Sequence, residues 1–213
     1  MKDVKYELQN IIFRDEQAGA ASQLKQTQNF LRRHAKTSVD AKEQQQLKSK
    51  EAEVILAFAQ QHGLIYEPPI LEVDFIGEGA EQRVYKLNDT QVVKTNGGIF
   101  YESWLDYFNS LLIHNYFFPA TAYSFLGFKL IIGELHSVIK QEFIITSEET
   151  DLNYVKEFLL YNGFENVRNN DYINRELGLI LEDLHDENVL SNNGILFFID
   201  TVFFLTDKFY SGK

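Results

Sequence analysis

LEDLHDENVLSNNGILFFID, residues 181–200, is the stretch from which the rest of the chain can be read. It carries a carboxylate at Asp183, a carboxamide five positions later at Asn188 and a second carboxylate at Asp200. All three are oxygen ligands or proton acceptors. Between Asn188 and Asp200 lies a polar turn, Ser191-Asn192-Asn193-Gly194, with Val189-Leu190 before it and the apolar run 195–199 after it. Two apolar runs about such a turn predict a β-hairpin. The hairpin would bring Asn188 and Asp200 to its open end, close enough to hold one divalent ion. Magnesium is a hard cation, held by one or two carboxylates together with substrate phosphates, so this donor set suits it. Acidic residues in a surface turn can equally be solvated charge, and upstream residues must decide.

Upstream, Pro68-Pro69 marks a boundary, because neither residue continues a helix and each biases its predecessor to extended structure. Residues 70–76 then alternate like a strand, Gly77-Glu78-Gly79 turns the chain, and strands are expected up to Leu87 and again over Gln91-Val92-Val93-Lys94. Residues 100–116 read as a helix with Trp104, Tyr107, Phe108, Leu111 and Leu112 on its buried stripe. Three further strands are expected at 122–126, 127–132 and 135–145, with Gly133-Glu134 as a turn. A helix start at 147–151, a helix at 152–161 ended by Asn162-Gly163, an irregular polar stretch at 164–174 and an apolar lead at 177–181 complete the path to Asp183.

In this order the parts resemble the protein kinase and aminoglycoside phosphotransferase superfamily, most closely the truncated kinase-like domains of bacterial mobile elements and phage polyvalent proteins. GEGAEQRVYKL, residues 77–87, resembles the glycine-rich loop, with Gly77, Gly79 and Val84 in register and Gln82 in place of the third glycine. Asp183-Leu184-His185-Asp186-Glu187-Asn188 resembles the small-molecule kinase form of the catalytic loop, although Leu181 and Glu182 stand where protein kinases have His-Arg, and Thr201-Val202 where they have Phe-Gly. The resemblance implies an α+β, minimal bilobal fold: a five-stranded antiparallel N-lobe over about residues 67–141, a hinge over about 141–146 and a reduced C-lobe over 147–213. It implies ATP and magnesium as cofactors, Lys94 on the nucleotide phosphates, Asp183 receiving the acceptor hydroxyl, and Asn188 and Asp200 on the metal. Glu142 and Ile144 are the expected backbone contacts to the adenine edge. Glu102 is the candidate partner of Lys94, or else a carboxylate favoured at a helix N-terminus by the dipole. For Lys94 itself the plainer reading is an edge-strand lysine. Few residues follow Asp200, so the helical subdomain of a full protein kinase is not expected.

Residues 1–66 read as a helical appendage rich in Gln, Lys, Glu and Ala, with helices near 3–11, 16–36 and 41–62, a break at Ser38-Val39-Asp40 and an end at Gly63. Its basic cluster, Lys25, Arg32, Arg33, His34 and Lys36, reads as a solvated face or as a contact for an acidic protein partner. Across 213 residues, 45% are hydrophobic, with 18 Phe and 11 Tyr, which excludes a disordered chain. The net charge of −11 argues against nucleic-acid or anionic-membrane partners, which need a basic face. The absence of cysteine excludes disulfides and thiolate metal sites, and with no secretory or membrane-spanning run the expected location is cytoplasmic. Two functions remain open: a phosphotransferase of unknown acceptor, or a pseudokinase-like nucleotide-binding or protein-interaction module.

Overall fold

A computed structural model describes residues 2–15, 22–35, 44–79 and 82–211, so Ser38-Val39-Asp40, Lys36 and the first third of the expected 16–36 helix lie outside the described residues. The described residues form an α+β protein with helices α1 (Lys2–Phe13), α2 (Gln23–Ala35), α3 (Gln44–His62), α4 (Trp104–Phe117), α5 (Leu152–Tyr161) and α6 (Asp207–Tyr210). Its strands pair antiparallel throughout three sheets. Two compact units emerge, one of residues 15–108 and 123–143, the other of residues 1–14, 109–122 and 144–213.

The first unit is built on a five-stranded sheet of β1 (Phe75–Glu78), β2 (Gln82–Lys86), β3 (Gln91–Asn96), β4 (Ser124–Ile131) and β5 (Glu134–Glu142), in the order β1-β2-β3-β5-β4. Two strands, not three, cover 122–145. At Gly127 the register shifts and φ is 139°, and a Cβ there would lie 2.6 Å from the Leu64 carbonyl oxygen, so the glycine bulges one continuous strand rather than ending it. The segment after α3 runs alongside this bulge, with the Phe128 amide donating to Leu64 and the Tyr66 amide to Phe128. The helix itself stops at Gly63, in the left-handed region, where the Leu64 amide reaches back to the Ala59 carbonyl at 2.8 Å. The strand expected over 70–76 begins only at Phe75, because the Asp74 amide closes a 3₁₀ turn onto Leu71. Arg83 ties that turn to β2 through a bidentate pair with Glu72. The core is aromatic: Phe108 packs edge-on to Tyr107 and Phe125, and Trp104 edge-on to Tyr107 and Phe128.

Helix α4 starts at Trp104, four residues later than the pattern suggested, since Ser103 caps it: its hydroxyl oxygen accepts the Asp106 amide at 3.2 Å and its hydroxyl donates to the Asp106 carboxylate at 2.7 Å. On α2 the basic cluster divides. Arg33 is exposed and pairs with Asp15, as does the less exposed Arg32, but Lys25 is buried and donates to Gln28, which corrects the solvated face expected for it.

The second unit carries a four-stranded sheet, order β11-β8-β7-β6, of β6 (Glu165–Arg168), β7 (Asp171–Asn174), β8 (Leu179–Glu182) and β11 (Val202–Leu205). Strands β6 and β7 occupy the stretch expected to be irregular; β6 is exposed along its whole length and so has no alternation to betray it. The predicted hairpin forms as β9 (Val189–Asn192) and β10 (Ile195–Phe198), turning at Asn193-Gly194. Helix α5 begins where Asp151 accepts the Asn153 amide and ends before Gly163, as expected. Residues 147–150 do not begin it. They are stitched to the hairpin instead: Ser147 and Glu148 accept the amides of Asn193 and Gly194, and Thr150 donates to the Val189 carbonyl.

Candidate active site

In the first unit the candidate residues share one row of the sheet. Gly77 stands opposite Val84, and Val84 opposite Lys94, on three adjacent strands. Directly opposed residues of antiparallel strands present side chains to one face, so the row is a consequence of register alone. Lys94 is not an edge-strand lysine: β3 lies between β2 and β5, and only 3% of the residue is exposed. Its ammonium is 5.8 Å from the centre of the Tyr123 ring. Taking an ammonium out of water is costly without polar or anionic company, which sets this lysine apart from ordinary surface charge.

The glycine turn is tight, the Gly79 amide donating to the Gln82 carbonyl at 2.9 Å. A Cβ on Gly77 or Gly79 would meet nothing within 4 Å, and neither has positive φ. No described neighbour therefore demands glycine at either position. Gln82 is buried where the resemblance has its third glycine. Glu142 ends β5 exposed and accepts from Gln91, while the Phe143 amide donates to the Thr90 carbonyl. The chain passes from one unit to the other between Phe143 and Ile144. Glu102 is exposed and precedes α4 rather than lying in its first turn.

In the second unit β8 delivers Asp183, whose φ of 66° places a non-glycine residue in the left-handed region. Such strain is sustained only where surrounding bonds fix it. Here the Asp183 amide donates to the Asp171 carboxylate at 3.3 Å, the Leu184 amide to the Asn170 carbonyl, and Leu184 is buried. Asn188 is the linchpin. Its Nδ2 donates to the Asp183 carbonyl at 2.8 Å and to the Asp183 carboxylate at 3.0 Å, and His185 Nε2 stands 3.4 Å from the other carboxylate oxygen. The Asn188 carbonyl in turn accepts the amides of Ile199, at 2.9 Å, and Asp200, at 3.3 Å. Asn188 and Asp200 thus close the open end of the hairpin, as the sequence suggested.

Preceding this loop, Glu182 has its carboxyl pushed above the usual range, first by burial and then by the charges of Asp171 and Asp183. Among the described residues no cluster of three or more His, Asp or Glu could hold a metal unaided. By donor chemistry an Asp–Asn pair suits magnesium, which takes one or two protein oxygen ligands together with phosphate oxygens rather than a closed protein cage. Sequence reading passed over Ser110, His114 and Thr121 and took Thr201 only as a departure from Phe-Gly; the four form a buried polar set around the Asp200 segment. A histidine on the apolar face of α4 was the one available signal.

Residues 48–207 match the family described as a serine/threonine/tyrosine kinase found in polyvalent proteins. The chain belongs to this family. The polyvalent-protein kinase match begins inside α3 and ends at the first residue of α6, so it takes in Gly77, Gly79, Val84, Lys94, Glu102, Glu142, Ile144, Asp183, Asn188 and Asp200, and leaves α1 and α2 outside. The chain has no match among curated proteins or solved structures. No described helix is long and apolar enough to cross a membrane.

Proposed function

We propose that the chain is an ATP- and magnesium-dependent phosphotransferase of the bilobal kinase type, acting as a module of a bacterial mobile-element or phage protein. The observation that carries this reading is the double role of Asn188, whose side chain holds the Asp183 carboxylate while its carbonyl holds the main chain of Asp200. One residue would thereby fix the spacing between the proposed proton-accepting group and the proposed metal-binding group. In the proposed reaction Asp183 orients the acceptor hydroxyl, Lys94 and the amides about Gly77 and Gly79 take the nucleotide phosphates, and Glu142 and Ile144 offer backbone to the adenine edge. Asn188 and Asp200 would hold the metal, which when bound neutralises charge developing on the transferred phosphoryl group. Catalysis of this kind is mainly positioning, and a prearranged loop suits it. Residues 1–66, proposed as a helical appendage, are the surface for a protein partner.

A thermal-shift titration tests the reading, because a ligand that binds only the native state must raise the midpoint. ATP with magnesium is expected to raise it in the wild type and not in Asp200→Ala, with transfer of labelled phosphate abolished in the variant. No shift in the wild type would refute the reading. A shift without transfer would favour the second function, a nucleotide-binding pseudokinase, for which Gln82 at the third glycine position and the buried Leu181 in place of histidine speak.

A further inference from the structure

The main chain around Asp200 is held by a buried polar set that the motif itself does not contain. Thr201 Oγ1 lies 2.7 Å from His114 Nδ1, and His114 Nε2 lies 2.9 Å from the Thr121 carbonyl oxygen. A carbonyl can only accept, so Nε2 carries the ring hydrogen; in the neutral ring Nδ1 then accepts, and the Thr201 hydroxyl must donate. The Thr121 hydroxyl donates in turn to the Phe198 carbonyl at 2.6 Å. One helical turn before His114, the Ser110 hydroxyl oxygen accepts the Phe203 amide at 3.0 Å. His114 has no exposed surface, and Ser110, Thr121 and Thr201 are buried with it. Side chains of α4 and the turn after it therefore grip the segment at 198, 201 and 203, while the Asn188 carbonyl grips it at 199 and 200.

We propose that His114 and Thr201 are positioning residues for the Asp200 carboxylate, an inference that rests on the metal-binding role proposed for Asp200. Valine and phenylalanine would fill the same volume without polar atoms. What the hydroxyl and imidazole add is direction, because the hydrogen bond anchors the Thr201 side chain to α4 and so restrains the main chain that carries the neighbouring carboxylate. Outer partners of metal ligands act in this manner, and their loss typically weakens metal affinity by about 10- to 100-fold. The Thr201–His114 bond is thus an outer support that reaches the metal through Asp200, with no contact of its own.

The test is Mn²⁺ affinity by electron paramagnetic resonance in the presence of a non-hydrolysable ATP analogue, with the full chain in four forms: wild type, Asp200→Ala, Thr201→Val and Thr201→Ser. Thr201→Val is expected to bind Mn²⁺ about 10-fold or more weakly than wild type, with affinity for the metal-free nucleotide unchanged. Thr201→Ser, which keeps the hydroxyl, should restore the wild-type value. A purely structural role would lower the melting temperature of Thr201→Val without this metal-specific loss, and that result overturns the inference. If Thr201→Val does not fold, His114→Phe, which removes both ring hydrogen bonds, replaces it and the same comparison decides. Wild-type protein that binds no Mn²⁺ would instead overturn the metal-binding role of Asp200, and the inference with it, which a difference confined to the Thr201 variants cannot be mistaken for.

Discussion

Gly178→Ala is the substitution whose cost can be worked most directly from the geometry. Gly178 has φ of 75°, and a Cβ built on it would lie 2.3 Å from the backbone nitrogen of Phe209 and 2.8 Å from the Lys208 carbonyl carbon. Those atoms are main chain, so no side chain can swing aside. The first contribution is the left-handed backbone, costing a residue with a Cβ about 1–2 kcal/mol. The second is displacement of α6 by roughly 1 Å or more, given ordinary carbon contacts of about 3.5 Å. Helix α6 is short and held by the wholly buried Phe209, by bonds from the Thr206 amide and hydroxyl to the Gly178 carbonyl, and by Gln9 of α1 donating to the Phe209 carbonyl. Undocking it would expose a phenylalanine, worth on the order of 2–3 kcal/mol. We expect a total loss of about 3–5 kcal/mol. Gly194→Ala supplies the control: φ is 73° there, yet nothing lies within 4 Å, so only the backbone cost of about 1–2 kcal/mol should appear. Urea unfolding followed by far-ultraviolet circular dichroism would measure both, and amide exchange at residues 2–13 and 205–211 would report whether α6 has left its seat. Equal losses for the two variants, with unchanged exchange at Phe209, would refute the steric argument.

At the turn between β4 and β5, Ile132 and Gly133 both have positive φ, and Ile132 is 98% exposed. Asparagine tolerates that geometry where a β-branched residue does not, so Ile132→Asn should stabilise by about 1 kcal/mol and raise the melting temperature by about 2–4 °C; a lower midpoint would contradict the assignment of the turn. Glu182 gives a pH prediction. Its carboxyl is raised above the usual 4.5 of a free glutamate, so its favourable contribution is present below that value and is lost as pH rises through the folded-state value. At pH 7 the ionised side chain is a net burden, and Glu182→Gln should melt higher than wild type there, the difference shrinking towards pH 4. Melting curves in parallel over that range check the sign.

Much of the candidate site was legible because its parts depend on local chemistry. The hairpin follows from Asn193-Gly194 between apolar runs, α5 from the Asp151 cap and Gly163, and the successive strands that carry Gly77, Val84 and Lys94 from the turns between them. What escaped notice depends on distant partners. Gly127 looks like a strand break until the chain after α3 is laid against it, and it is then a bulge inside β4. Strand β6 is polar and exposed, so it shows no alternation, and its pairing with β7 arises only in the folded sheet. Lys25 belongs by sequence to a basic run and by packing to the interior. The grip of His114 on Thr201 spans most of the second unit's length in sequence, and no spacing rule reaches that far.

Helix α1 lies outside the family match, yet it fastens onto α6. Lys5 donates to the carbonyls of Lys208 and Ser211, Gln9 to that of Phe209, and the Phe13 ring lies against both Phe209 and Tyr210. The region by which relatives are recognised therefore omits part of what packs on α6. A fragment cut at residue 48 would retain every proposed ligand while stripping the cover from two aromatic rings. It would be expected to aggregate for reasons unrelated to the nucleotide chemistry it was made to report.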